Sequence, residues 1–176
     1  MKHTRFALQI IQALSIVAGS LIFPYCQGVV EYNTESLKNK EIAIQVFVKS
    51  INQTLYYLDK ATLDQFNRYK AKTDHDKKIF EKRYDEGLDA YNKIEYPYET
   101  ACSLVTINFA DEKIQNNIQI LLARIDKLVD KEWGVNGTIE EYEELYAGIV
   151  LFHKKLIKDL TDNLELNRRK YGYSSE

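Results

Sequence analysis

Apolar residues along this chain fall on four stripes with the spacing of amphipathic helices, separated by segments where the beat stops. Ile44, Val48, Ile51, Leu55, Leu58, Thr62, Phe66 and Tyr69 recur at steps of four and three, which predicts a first helix over about 35–71 beginning at Thr34. The beat lapses between Lys70 and Lys77, where Thr73 and Asp74 are both good N-cap residues. A second helix over about 74–95 follows, with Phe80, Tyr84, Leu88, Tyr91 and Ile94 facing inward, and Pro97 ends it. A third is expected over about 99–133 from Leu104, Ile107, Ile114, Ile118, Leu121, Ile125 and Leu128, with Asp111 the one polar residue where an apolar one is due. Gly134-Val-Asn-Gly-Thr138 is the clearest turn in the chain. Thr138-Ile-Glu-Glu141 then reads as a capping box opening a fourth helix over about 138–170, with Tyr142, Leu145, Ile149, Phe152, Leu156, Leu160 and Leu164 as its stripe. Four stripes joined by short connections predict an all-α fold, an up-down-up-down bundle of four long helices.

The N-terminal segment has a different character and sets the expected compartment. Lys2 and Arg5 precede an uncharged apolar run from Phe6 to Phe23, and Pro24 interrupts it before small residues. This is the pattern of a secretory signal peptide over residues 1–28, so the chain is expected to be secreted and extracellular. Cleavage after Gly28 places Cys26 at the −3 position; cleavage after Ser20, with Ala18 at −3, is the second reading. Gln9, Gln12, Ser15, Gly19 and Ser20 dilute the run, which argues against a retained membrane anchor.

Composition then narrows the mature chain. The 176 residues less the first 28 leave 148, the size of one domain over 29–176. Setting Lys2 and Arg5 aside from 24 basic residues leaves 22 against 26 acidic, too mild and mixed a balance to indicate nucleic acid or an anionic membrane. Seven glycines and two prolines in the whole chain mean few turns, in keeping with long helices.

Few residues suggest reaction chemistry. Asp74-His75-Asp76 is the best metal candidate, but consecutive helical residues point about 100° apart, and the run reads more simply as a polar helix start. His153, alone beside Phe152, reads as a hydrogen-bonded core histidine. Glu140, Glu141, Glu143 and Glu144 read as a solvated face, and the chain has no His-Glu-x-x-His, Gly-x-Ser-x-Gly or phosphate-cradling glycine loop. No enzyme activity, cofactor or metal is therefore expected.

Features of a secreted chain carry the remaining information. Asn136-Gly-Thr138 and Asn52-Gln-Thr54 are glycosylation sequons, and Asn136 is favoured because it stands in the strongest turn. Tyr69, Tyr84, Tyr91 and Tyr142 belong to inward stripes, whereas Tyr56, Tyr57, Tyr96, Tyr98 and Tyr146 are either flanking core or a recognition surface. Cys102 is expected to pair with a retained Cys26 across a loop of about 76 residues if the earlier cut is used. If Cys26 is removed, Cys102 is an odd thiol, buried or able to join two chains covalently.

Two functions are compatible with this pattern. The first is a secreted interaction protein, a gland-secreted or cytokine-like factor that binds an extracellular protein partner. The alternative is an extracellular carrier of a small apolar ligand such as a lipid, with Phe66, Phe80, Phe109, Trp133 and Phe152 either filling the core or lining a cavity. In general style the chain resembles the small secreted products of arthropod salivary, venom or reproductive glands, a resemblance of composition alone. Narrow, regular stripes favour the interaction protein, because they suit a close-packed bundle.

Overall fold

The computed structural model describes the backbone of residues 2–172 and the side chains of residues 28–172. Five helices and no strand are present among the described residues: α1 (Lys2–Lys70), α2 (Asp74–Asn92), α3 (Tyr98–Asn108), α4 (Glu112–Val129) and α5 (Ile139–Lys170). The chain divides into two compact units, Met1–Lys38 and Asn39–Glu176.

In the first unit, Cys26, the proposed cut after Ser20 and the apolar run of the proposed signal lie outside the residues whose side chains are described. Helix covers residues 29–33, so the helix does not wait for Thr34. The Thr34 hydroxyl donates to the Val30 carbonyl at 2.8 Å, bonding back along a helix already formed.

The second unit holds a continuous core. Phe47, Ile51, Leu55, Leu58 and Phe66 of α1 bury against Val105, Ile118, Leu121, Ile125, Ile149, Leu156 and Leu160 of the later helices. α1 ends at Lys70, and Thr73 caps α2 by accepting from the Asp76 amide at 3.1 Å, so the break expected between the two helices is present. α2 is shorter than the 74–95 expected. Lys93 and Ile94 donate to Ala90 and Tyr91, three residues back, which tightens and closes the helix ahead of Pro97. Pro97 instead precedes the first turn of α3, its N-cap position.

The expected third helix over 99–133 is two helices. Phe109 is extended (φ −121°, ψ 101°) and fully buried, and Asp111 caps α4 by accepting from the Ile114 amide at 3.0 Å. The polar residue that interrupts the stripe is therefore a helix start. The break also resets the register. Ile107, placed on the inward stripe by extrapolating back from α4, is 78 % exposed, while α3 buries Tyr98, Ala101, Cys102 and Val105.

α4 stops at Val129, short of Trp133. Trp133 is nonetheless buried, and its ring N–H donates to the Leu128 carbonyl at 2.8 Å. Gly134 (φ 87°) turns the connection in the left-handed region, with its amide donating to the Gly137 carbonyl. Both halves of the Thr138–Glu141 capping box form, at 3.2 and 3.1 Å. On α5, His153 takes the core position expected for Phe152, which is half-buried.

Candidate interaction surface

The largely aliphatic interior of the second unit contains a cluster of packed rings. Phe66, Trp133 and Tyr142 pack with centroids 5.2 to 6.5 Å apart, and Tyr146 stacks on Tyr142 at 5.8 Å. Of the five aromatics that were to fill or line a cavity, Phe66, Phe109 and Trp133 are buried, while Phe80 and Phe152 are half-buried. Two phenols anchor the packing to carboxylates. Tyr142 donates to Asp59 at 2.8 Å and Tyr98 to Asp126 at 2.6 Å; burial and these bonds push both phenols well above the usual tyrosine range.

A groove of about 710 Å³ opens between α4 and α5. Its α4 wall is basic: Arg124, Lys127 and Lys131 follow one another at steps of three and four, the spacing of one helix face continued past the end of α4. Its α5 wall is acidic, through Glu141 and Glu144. Between them the floor is apolar or small: Ile120, Ala123, Trp133, Leu145 and Gly148.

Three cross-contacts fix the antiparallel register of the pair. Lys131 bonds Glu141 at 2.9 Å, Arg124 donates to the Gly148 carbonyl at 3.4 Å, and Lys113 pairs with Asp159 at 3.2 Å. The hydrogen bond from Lys131, with the backbone bond at the capping box, holds the Glu141 carboxyl below its ordinary range. The Arg124 guanidinium lies 4.7 Å from the Phe152 ring centroid, so its stem and plane shape the floor. The charge of Lys127 also helps to lower the Glu141 carboxyl, and among the described residues Glu144 makes no ion pair.

A second depression of about 360 Å³ lies between α1 and α5, lined by Leu55, Tyr56, Tyr146, Val150, His153 and Ile157 among others. His153 is 3 % exposed and meets Phe47 edge-on at 5.2 Å, yet its Nε2 has no hydrogen-bond partner in the structure. The expectation of a hydrogen-bonded histidine is thus met for burial and not for Nε2. Burial pushes its pKa down to about 4.

The remaining sequence candidates separate in space. Asn136 is exposed in the α4–α5 connection, and Asn52 is exposed on α1 at the rim of the second depression. Thr54 of the Asn52 sequon is fully buried, and Thr138 of the Asn136 sequon is the α5 cap. Cys102 is a free thiol, 1 % exposed, and burial pushes its pKa up to about 12; Cys26 lies outside the described side chains. Asp74 and Asp76 occupy the first turn of α2, with the Thr73 hydroxyl donating to Asp76 at 2.7 Å. Of the five tyrosines read as flanking core or recognition surface, Tyr98 is core, Tyr57 and Tyr146 are half-buried, and Tyr56 and Tyr96 are exposed. Tyr69, expected inside, is exposed and donates to Glu132 at 3.2 Å. Sequence reasoning missed the groove because Lys127 and Glu144 read singly as solvated charge. The available signal was the basic series 124–127–131 on a helix whose opposite face is apolar.

Fold and surface together define a class: an all-helical protein of five helices among the described residues, with a buried apolar core and a charge-walled groove. No family model, curated protein or solved structure matches the chain.

Proposed function

We propose that this chain is an extracellular protein that acts by binding other proteins through its helical surface, in the manner of a gland-secreted or cytokine-like factor. The observation that carries this reading is the division of space: aliphatic side chains and a cluster of rings pack in the interior, and a groove of about 710 Å³ with one basic and one acidic wall opens at the surface. Such walls supply orientation and partner choice, while the Ile120, Ala123 and Leu145 floor supplies apolar area to bury. The extracellular half of the reading rests on the signal-like segment over 1–28, and its expected consequence is a shortened chain in the medium of expressing eukaryotic cells. Intact mass of that material checks it; a full-length chain retained in the cells contradicts it.

The apolar-carrier reading draws its support from the depression beside His153, which has Leu55, Val150 and Ile157 as walls and an unpartnered ring nitrogen. Thermal melts with and without a panel of fatty acids separate the two. A carrier gains stability as ligand saturates it, whereas the binding protein melts at an unchanged temperature. A ligand-dependent rise overturns the interaction reading.

A further inference from the structure

We infer that the α4–α5 groove is self-complementary and that its occupant is a second copy of this chain. This rests on reading the groove as a protein-binding surface and adds the identity of the partner.

The argument comes from symmetry and charge. A two-fold dimer joins the same patch to itself, so a patch of one sign repels its copy and a patch carrying both signs need not. Here the basic wall and the acidic wall run side by side along antiparallel helices. Two face-to-face arrangements keep the helices aligned. With the two-fold axis across the helices, α4 lies on α4, and Arg124, Lys127 and Lys131 meet their own copies. With the axis along the groove, α4 of each copy lies over α5 of the other at the same height. Lys127 of one copy then comes level with Glu144 of the other, twice over. Charge selects the second arrangement, in which Lys127, already close enough to Glu141 of its own chain to act on that carboxyl, also faces Glu144 of the other copy.

The floor favours close approach. A Cβ added at Gly148 meets nothing within 4 Å, so crowding within the chain does not require a glycine there, although mid-helix glycine costs about 1 kcal/mol relative to alanine. Close approach by a second backbone accounts for it. Ile120 is 43 % exposed, and Leu151, one helical step beyond Gly148, is 68 % exposed; both extend the apolar strip that a dimer covers. Over 29–176 the 22 basic and 26 acidic residues leave a net charge of −4, which adds little general repulsion between copies.

Sedimentation equilibrium of the full chain at about 1–100 µM, with reductant present, tests the inference. The expected result is a reversible dimer that weakens as salt is raised. Lys127→Glu and Glu144→Lys each raise the dissociation constant by at least about tenfold, because each sets like charges face to face. The double variant, which exchanges the two signs, returns toward the wild-type constant. Gly148→Leu, with open space for its side chain in the monomer, also dissociates the dimer while circular dichroism stays helical. A monomer at the top concentration overturns the inference. So does a dimer indifferent to Lys127→Glu, or a double variant as weak as either single one. Any of these results together with an unchanged fatty-acid melt leaves the interaction reading standing with a different partner, whereas a ligand-raised melt removes that reading itself.

Discussion

At the scale of single residues, the groups whose chemistry the fold alters most are His153, Tyr142 and Cys102. His153 is held neutral by burial, with its pKa moved from 6.5 down to about 4. As pH falls below 6.5 the unfolded chain takes up a proton that the folded chain refuses, so stability drops until the native imidazole titrates near 4 and is level below that. The difference amounts to about 3 kcal/mol over that window. Denaturant melts between pH 7 and 4 are expected to show this slope in the wild type and to lose most of it in His153→Leu; an equal slope in both contradicts the assignment. Tyr142→Phe leaves the Asp59 carboxylate without its phenol and is expected to cost about 1–2 kcal/mol in the same measurement. Cys102, buried with its thiol pushed up to about 12, is expected to react with a thiol reagent only as the chain unfolds. Fast labelling of the native protein instead places the thiol where a covalent link to a second chain is possible.

At the scale of elements, what was legible in the sequence followed from local physics. The capping box at Thr138, the cap at Thr73 and the turn at Gly134 each depend on residues within one helical turn, and all three are present. The Asp111 anomaly was visible, but the regular stripe on either side outweighed it, and α3 and α4 were joined into one helix. A buried, extended Phe109 makes the break worthwhile by filling the core, a tertiary effect that periodicity cannot report. Asp111→Ala is expected to cost about 1 kcal/mol in a chemical melt. Two mid-helix glycines make a sharper contrast. A Cβ at Gly87 of α2 comes to 3.1 Å of the Ala61 Cβ on α1, while Gly148 faces open space. Gly87→Leu is therefore expected to destabilise by about 1–3 kcal/mol or more, and Gly148→Leu to leave the monomer folded. Melts at low protein concentration check both, and equal costs at the two sites contradict the packing described.

At the scale of the whole molecule, the fold class was readable from stripes, whereas the groove was not. A groove is the joint property of two faces, and the sequence holds no direct record that Lys127 and Glu144 line one groove. The sequence left open whether the aromatics filled the core or lined a cavity; Phe66, Trp133 and Tyr142 pack on one another, and Trp133 also lines the groove. Compartment belongs to a different order of signal, a linear pattern over residues 1–28 that owes nothing to the packing of the second unit. The central claim is that this molecule pairs with a second copy through the face of α4 and α5 and not through its interior. Amide hydrogen exchange of the full chain, compared at low and high protein concentration, tests it most directly. The account predicts slowed exchange at high concentration confined to residues 120–131 and 141–151, on the two walls and floor of the groove. Exchange that is unchanged there, or slowed only around His153 and the core facing it, contradicts the claim.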